Sequence, residues 1–171
     1  MTASKPVAKP GSKLAAIALG SNLGDSLTII QSALDLLNYT PNVTVQSHSH
    51  WYQTIPIGPP QPDYINGCAI LDVQTDAVSL LEILLGIEQQ FGRIRQARWG
   101  PRTLDLDLLL LEDLRLTTPF LEIPHPRMRD RAFVLIPLAE IAPHWIDPVT
   151  GKTIAQLAQM VDCSGIWQLQ Y

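Results

Sequence analysis

Cysteine is nearly absent. The chain has two, Cys68 and Cys163, too few for a disulfide framework and without metal-site spacing, which reads as reduced thiols in a cytoplasmic protein. Long apolar runs are missing as well. No stretch approaches the ~20 residues that a membrane-spanning helix needs, so no membrane partner is expected. Strong charge of either sign is also lacking: the net charge is −4, which gives no reason to expect nucleic acid. Met1 to Lys13 holds lysines, prolines and a glycine but no hydrophobic segment, and reads as a disordered tail (residues 1–13) rather than a targeting signal. Residues 14–171 are then one domain, long enough to bury a real core and expected to act as a monomer. Two phosphate-binding signatures, G-x-G-x-x-G and G-x-x-x-x-G-K-[ST], are absent. The glycine-bearing turn Gly20-Ser21-Asn22-Leu23-Gly24 is therefore read as architecture.

Lysine is scarce, and arginine is confined. Four lysines lie outside residues 93–131, whereas all eight arginines (Arg93, Arg95, Arg98, Arg102, Arg115, Arg127, Arg129, Arg131) lie within that window. Inside it stands Thr103-Leu104-Asp105-Leu106-Asp107 followed by four leucines, which reads as a strand with a side-chain period of two. Asp105 and Asp107 then share a face. At roughly 6–7 Å and an effective dielectric near 20, two carboxylates repel by about 2.5 kcal/mol. A divalent cation or arginine must offset that. Oxygen ligands without His or Cys suit Mg²⁺, and a cationic cluster around an acidic pair suits polyphosphate. The plainer alternative is two salt-bridged or solvent-facing aspartates on an edge strand.

The remaining elements alternate in type. Leu14–Leu19 reads as a buried strand, and Leu27, Ile30, Leu34 and Leu37 as the apolar side of a helix. Asn42–Gln53 reads as a half-exposed strand, whose His48 and His50 lack a third ligand and are taken as surface histidines. A proline-rich loop follows, then a strand over Asn66–Val73. Tyr64 and Asn66 at its entry could stack a flat heterocycle and hydrogen-bond its edge, or could be a core Tyr and a turn Asn. Asp76 caps a helix over Ala77–Phe91 that stops at Gly92. Glu88 in its last turn opposes the helix dipole, which points to a purpose other than helix stability. A hairpin strand is expected near Leu114–Thr117. His125, held between Pro124 and Pro126, suits a directional donor to a phosphate oxygen better than a general base. Beyond Val134, a short apolar helix, a hairpin after Trp145 and a helix over Ile154–Met160 carry no evident chemistry.

Four segments resemble a known family in its own order: Gly20-Ser21-Asn22-Leu23-Gly24, Gln61 to Asn66, Arg93-Ile94-Arg95 with Arg98 to Asp107, and Pro124-His125-Pro126 with Arg131-Ala132-Phe133. They are similar to the motifs of the 6-hydroxymethyl-7,8-dihydropterin pyrophosphokinases of folate biosynthesis. The resemblance implies transfer of the β,γ-pyrophosphoryl group of ATP to the pterin hydroxymethyl oxygen, with release of AMP. It implies that Asp105 and Asp107 bind two Mg²⁺ ions and, with Arg93 and Arg102, form the catalytic set. Tyr64, Asn66 and Phe133 would hold the pterin, framed by Thr54, Ile57 and the lid residue Trp99. Glu88, Arg93, Arg95, Arg102, His125 and Arg131 would hold the nucleotide. The chain departs from the family at Leu85, Phe120 and Pro126, and its loop before Asp63 is one residue shorter.

The element order gives an α+β fold with a ferredoxin-like antiparallel sheet, flanking helices and long active-site loops. Two other functions use similar residues. A two-metal nucleotidyl transferase or cyclase would release pyrophosphate, and a nucleotide sensor would bind without turnover.

Overall fold

The computed structural model describes residues 6–92 and 103–170. The expected loop residues Arg93, Arg95, Arg98, Trp99 and Arg102 lie outside the described residues. The first apolar run forms β1, Lys13–Ser21. It pairs antiparallel with β4, Tyr64–Val73, on one side and with β5, Asp105–Leu111, on the other. Helix α1, Ser26–Tyr39, follows β1, and helix α2, Ala77–Gln90, links β4 to β5. Each begins where an aspartate satisfies a first-turn N–H: Asp25 accepts from Thr28 at 3.3 Å and Asp76 from Ser79 at 2.7 Å.

The segment expected as one strand, Asn42–Gln53, forms two: β2, Val43–His48, and β3, Tyr52–Thr54. Both pair with β4, but the register slips by one residue between Val45 and Ser47 and by one more before Tyr52. The second break has a local cause. The Ser49 hydroxyl accepts from the Cys68 N–H at 3.0 Å and donates to the His50 carbonyl at 2.6 Å, so a side chain takes the place of ladder bonds. The His50 N–H turns away to Glu140, at 2.7 Å.

A last strand, β8, Ile166–Gln168, adds to β3. The six-stranded sheet runs β5-β1-β4-β3-β8, with β2 also on β4. With β2 and β3 taken as one broken strand, this is the expected ferredoxin-like order extended by β8.

Alternation along the strands separates two cores. Ala15, Ile17 and Leu19 of β1 pack with Ala69 and Leu71 beneath α1 and α2. Leu14 and Ala16, with Cys68 and Ile70, face α3, Ala132–Ile141, and α4, Ile154–Gln159. Each fully buried Leu or Ile in these layers contributes about 1.5–3 kcal/mol. Past Ala16, β1 presents only Ala18 and Gly20 on the α3 face, and there a cleft opens.

Among the described residues, the outer edge of β5 pairs with no further strand. The Leu106 N–H donates to the Glu88 carboxylate at 2.9 Å, and the Leu109 carbonyl accepts from the His125 N–H at 2.9 Å. The strand expected near Leu114–Thr117 therefore pairs elsewhere: β6, Leu116–Thr117, joins β7, Glu122–Ile123, in a separate two-stranded sheet.

The hairpin expected after Trp145 closes with an Ile146–Thr153 bridge around fully buried Asp147. That carboxylate accepts from Arg129 Nε at 2.6 Å and Nη2 at 2.9 Å, and from the Val149 N–H and the Thr150 hydroxyl. Burial works to raise its pKa, but these donors outweigh it and draw the pKa down to about 2. In the N-terminal segment, the Lys9 N–H donates to Asp72 and the Val7 carbonyl accepts from Gln46.

Candidate active site

The cleft has a volume of about 470 Å³. Its floor is β1, where Ala18 lies opposite Asp107 and Gly20 opposite Asp105. On the other side of β1, Gly20 lies opposite Asn66. Small floor residues leave the space between acids and amide open. At Gly20 the constraint is tight: a Cβ there would stand 2.6 Å from Asn66 Oδ1 and 3.7 Å from Tyr64 Cδ1.

One half of the cleft suits a flat, polar-edged ring. Tyr64, Asn66 and Phe133 line it, with Thr54, Ile55, Pro56 and Ile57 along the rim. Asn66 Nδ2 donates to the buried Thr54 hydroxyl at 2.6 Å, which fixes the amide with its oxygen over β1. The rim loop is anchored by the turn read from sequence as architecture. Buried Asn22 donates from Nδ2 to Gln61 Oε1 at 2.8 Å and to the Pro62 carbonyl at 2.9 Å.

The other half is charged. Asp105, Asp107, His125, Arg127 and Arg131 line it. The β1–β5 register shifts so that Leu109 is an extra residue between Leu108 and Leu110, and its carbonyl holds the His125 backbone. The Arg127 N–H donates to His125 Nδ1 at 3.2 Å, so the ring proton of the neutral imidazole is on Nε2, a donor. Burial lowers the His125 pKa; Asp107 opposes this, while Arg131 and Arg127 add to it. Its neutral form is thus favoured. The Arg131 guanidinium lies 5.4 Å from the Phe133 ring centroid, so one side chain borders both halves. Burial lowers its pKa as well, against the pull of Asp107.

These residues fit magnesium. Two carboxylates share a face of β5, and no cluster of three His, Cys, Asp or Glu occurs among the described residues. Such a donor set leaves coordination positions to water and phosphate oxygens, as Mg²⁺ prefers.

Of the residues singled out in the sequence, Thr54, Ile57, Tyr64, Asn66, Asp105, Asp107, His125, Arg131 and Phe133 converge on this cleft. Arg93, Arg95, Arg102 and Trp99 lie outside the described residues. Glu88 is not a lining residue; it is 2% exposed and fastens the strand backbone between the two acids. His48 and His50 are on the surface, the first stacked on Trp51 and the second bonded to Glu140. Sequence reasoning covers Ile55 and Pro56 through the Thr54 to Ile57 frame but missed Ala18, Leu19, Gly20, Pro126 and Arg127 as lining residues. Arg127 had a signal, two positions past His125 in an arginine-rich segment. Gly20 had no such signal: it follows the apolar run Leu14–Leu19 and reads as the start of a turn, whereas the structure extends β1 through it to Ser21.

Residues 16–143 match the family model described as 7,8-dihydro-6-hydroxymethylpterin-pyrophosphokinase (HPPK). The chain belongs to this family. A 2-amino-4-hydroxy-6-hydroxymethyldihydropteridine pyrophosphokinase of Synechocystis is 52% identical over 153 residues, covering 90% of this chain and 78% of the relative. The Pseudomonas aeruginosa enzyme of the same name is 43% identical, over 90% of this chain and 94% of the relative. A crystal structure of wild-type Plasmodium falciparum HPPK-DHPS with pteroate overlays with a TM-score of 0.70 at 14% identity. That overlay covers 91% of this chain and 43% of the Plasmodium chain, so the HPPK fold here spans less than half of that protein. The ferredoxin-like sheet with its flanking helices is thus the HPPK fold, and the cleft lies on its α3 face.

Proposed function

We propose that the cleft binds ATP and 6-hydroxymethyl-7,8-dihydropterin side by side, the pterin between Tyr64 and Phe133 and the triphosphate between the acidic pair and the His125–Arg131 segment. The reaction is that of the family: the chain is an ATP-dependent enzyme that transfers pyrophosphate to the pterin hydroxymethyl group in folate biosynthesis. The adjacency of the two halves across Gly20 carries the reading. Asn66 and Asp105 lie on opposite sides of Gly20, with Asp107 opposite Ala18 next along the same sheet face, so a ring held on one side presents its substituent to phosphates held on the other. Positioning of this kind converts an encounter of two substrates into a step within one complex.

Asp105 and Asp107 would hold two Mg²⁺ ions together with the nucleotide. When bound, Mg²⁺ screens the triphosphate and lowers the pKa of the attacking hydroxyl. His125 would donate from Nε2 to a phosphate oxygen without itself taking a proton. Arg131 and the arginines Arg93, Arg95 and Arg102 would meet the charge on the transferring group. Trp99 would cover the pterin, and Glu88 would act by holding β5. We further propose that residues 14–171 form one pyrophosphokinase domain that works as a cytoplasmic monomer without nucleic acid or membrane. No described helix is long and apolar enough to cross a membrane.

The test is product identity. Incubation with Mg²⁺, ATP and the dihydropterin should yield AMP and the pterin diphosphate by ³¹P NMR. ADP would mark a simple kinase, and free pyrophosphate a nucleotidyl transferase or cyclase.

A further inference from the structure

The chemistry above leaves the C-terminal strand without a role. β8 pairs with β3 so that Ile166 lies opposite Thr54 and Trp167 opposite Gln53. Flanking bonds bracket this ladder: the Ile55 N–H donates to the Gly165 carbonyl at 3.0 Å, and the Leu169 N–H to the Trp51 carbonyl at 2.8 Å. By the alternation of an antiparallel ladder, Gln53 and Trp167 are then a hydrogen-bonded pair.

β3 has only three residues, and β4 pairs with those same three. Without β8 it would be a short edge strand, yet it carries Thr54, the acceptor that fixes the Asn66 amide. The rim next to it has little apolar packing of its own. Ile55 and Ile57 line the cleft but are 58% and 66% exposed. Backbone bonding to β8 is therefore a main restraint on the rim. Gly165 is shaped for that contact: its φ is +77°, and a Cβ there would stand 3.3 Å from Ile55 Cδ1.

We propose that β8 is a positioning element for the pterin half of the site. Through Gly165 it holds the rim at Ile55, and through β3 it holds Thr54 and hence the Asn66 amide. The inference rests on the pterin reading of this half. The charged half is built on β5 and the 125–131 segment, neither of which pairs with β8. A looser rim must be ordered each time pterin binds, and that cost falls on pterin affinity alone.

Two full-length variants test it. Trp167→Pro removes a ladder N–H from β8, and Gly165→Ala puts a Cβ at positive φ against Ile55 while leaving the strand in place. Steady-state AMP release is measured with pterin and ATP varied separately, alongside thermal melts. The expected result is a pterin KM raised about tenfold in Trp167→Pro and about threefold in Gly165→Ala, with ATP KM and kcat within about twofold of the parent. If Trp167→Pro fails to fold, Gly165→Ala decides alone. Pterin KM unchanged in the folded variants, or ATP KM rising in step with it, overturns the proposal. A parent chain that releases no AMP would instead overturn the pterin reading itself.

Discussion

Gly20 and Asn66 face each other across β1 and β4, so close that a Cβ on residue 20 would stand 2.6 Å from the Asn66 side-chain oxygen. One glycine thus gives the Asn66 amide its space, with Asp105 on its opposite flank.

Gly20→Ala should displace the Asn66 amide. Overpacking of this kind costs about 1–3 kcal/mol, and most of it should appear as a pterin KM raised about tenfold or more. ATP binding, measured by calorimetry without pterin, should change little. Equal losses for both substrates would mean that the amide does not face the pterin.

Thr54→Val keeps the shape of the side chain and removes the acceptor for Asn66 Nδ2. A buried donor left unpaired costs about 1–3 kcal/mol. Urea denaturation should show a loss of that order, with a weakened pterin KM, and Thr54→Ser should restore both. Wild-type stability in Thr54→Val would show that the bond contributes nothing.

His125 should titrate below its ordinary value. Burial lowers its pKa in the folded protein, so the unfolded chain binds more protons in the interval below about 6.5. Its contribution to stability is therefore present above that pH and is lost as pH falls through the interval. Imidazole ¹⁵N shifts should report the Nε2–H tautomer at neutral pH. An Nδ1–H signal, or a midpoint above that of a free histidine, would contradict the bond from Arg127.

Asp147 acts at lower pH. Its pKa in the fold is about 2 against a reference of 3.8, so the native carboxylate is stabilising above pH 3.8 and that stability is lost as pH falls toward 2. At about 1.4 kcal/mol per unit the contribution is about 2 kcal/mol. Asp147→Asn should be less stable than the parent at neutral pH, with a gap that narrows on acidification between those limits. A gap that does not change with pH would show that the Arg129–Asp147 pairing is not electrostatic in origin.

The order of elements from β1 to β5, with β2 and β3 as one segment, was legible in the sequence because their periods are strong and α1 and α2 each begin at an aspartate cap. The acidic pair was legible because a period of two puts Asp105 and Asp107 on one face whatever lies around them. What depends on long-range register was not legible. Gly20 read as part of a turn, since only pairing with β4 brings Asn66 against it. Glu88 showed that it opposed its helix dipole but not that it would meet the Leu106 N–H on β5. The break between β2 and β3 lies in the bonds of Ser49 to its neighbour and to Cys68, which no alternation pattern carries. The C-terminal segment lacked polar motifs, and its contribution passes through the backbone of Gly165.

The central claim is that Asp105 and Asp107 hold the metal on which the nucleotide is positioned. A crystal of the protein with a non-hydrolysable ATP analogue, dihydropterin and Mn²⁺ in place of Mg²⁺ tests it most directly by anomalous scattering. The account predicts two metal peaks, each within bonding distance of these carboxylates and of phosphate oxygens. Carboxylates that touch only arginine or water, with the metal elsewhere on the triphosphate, would contradict it.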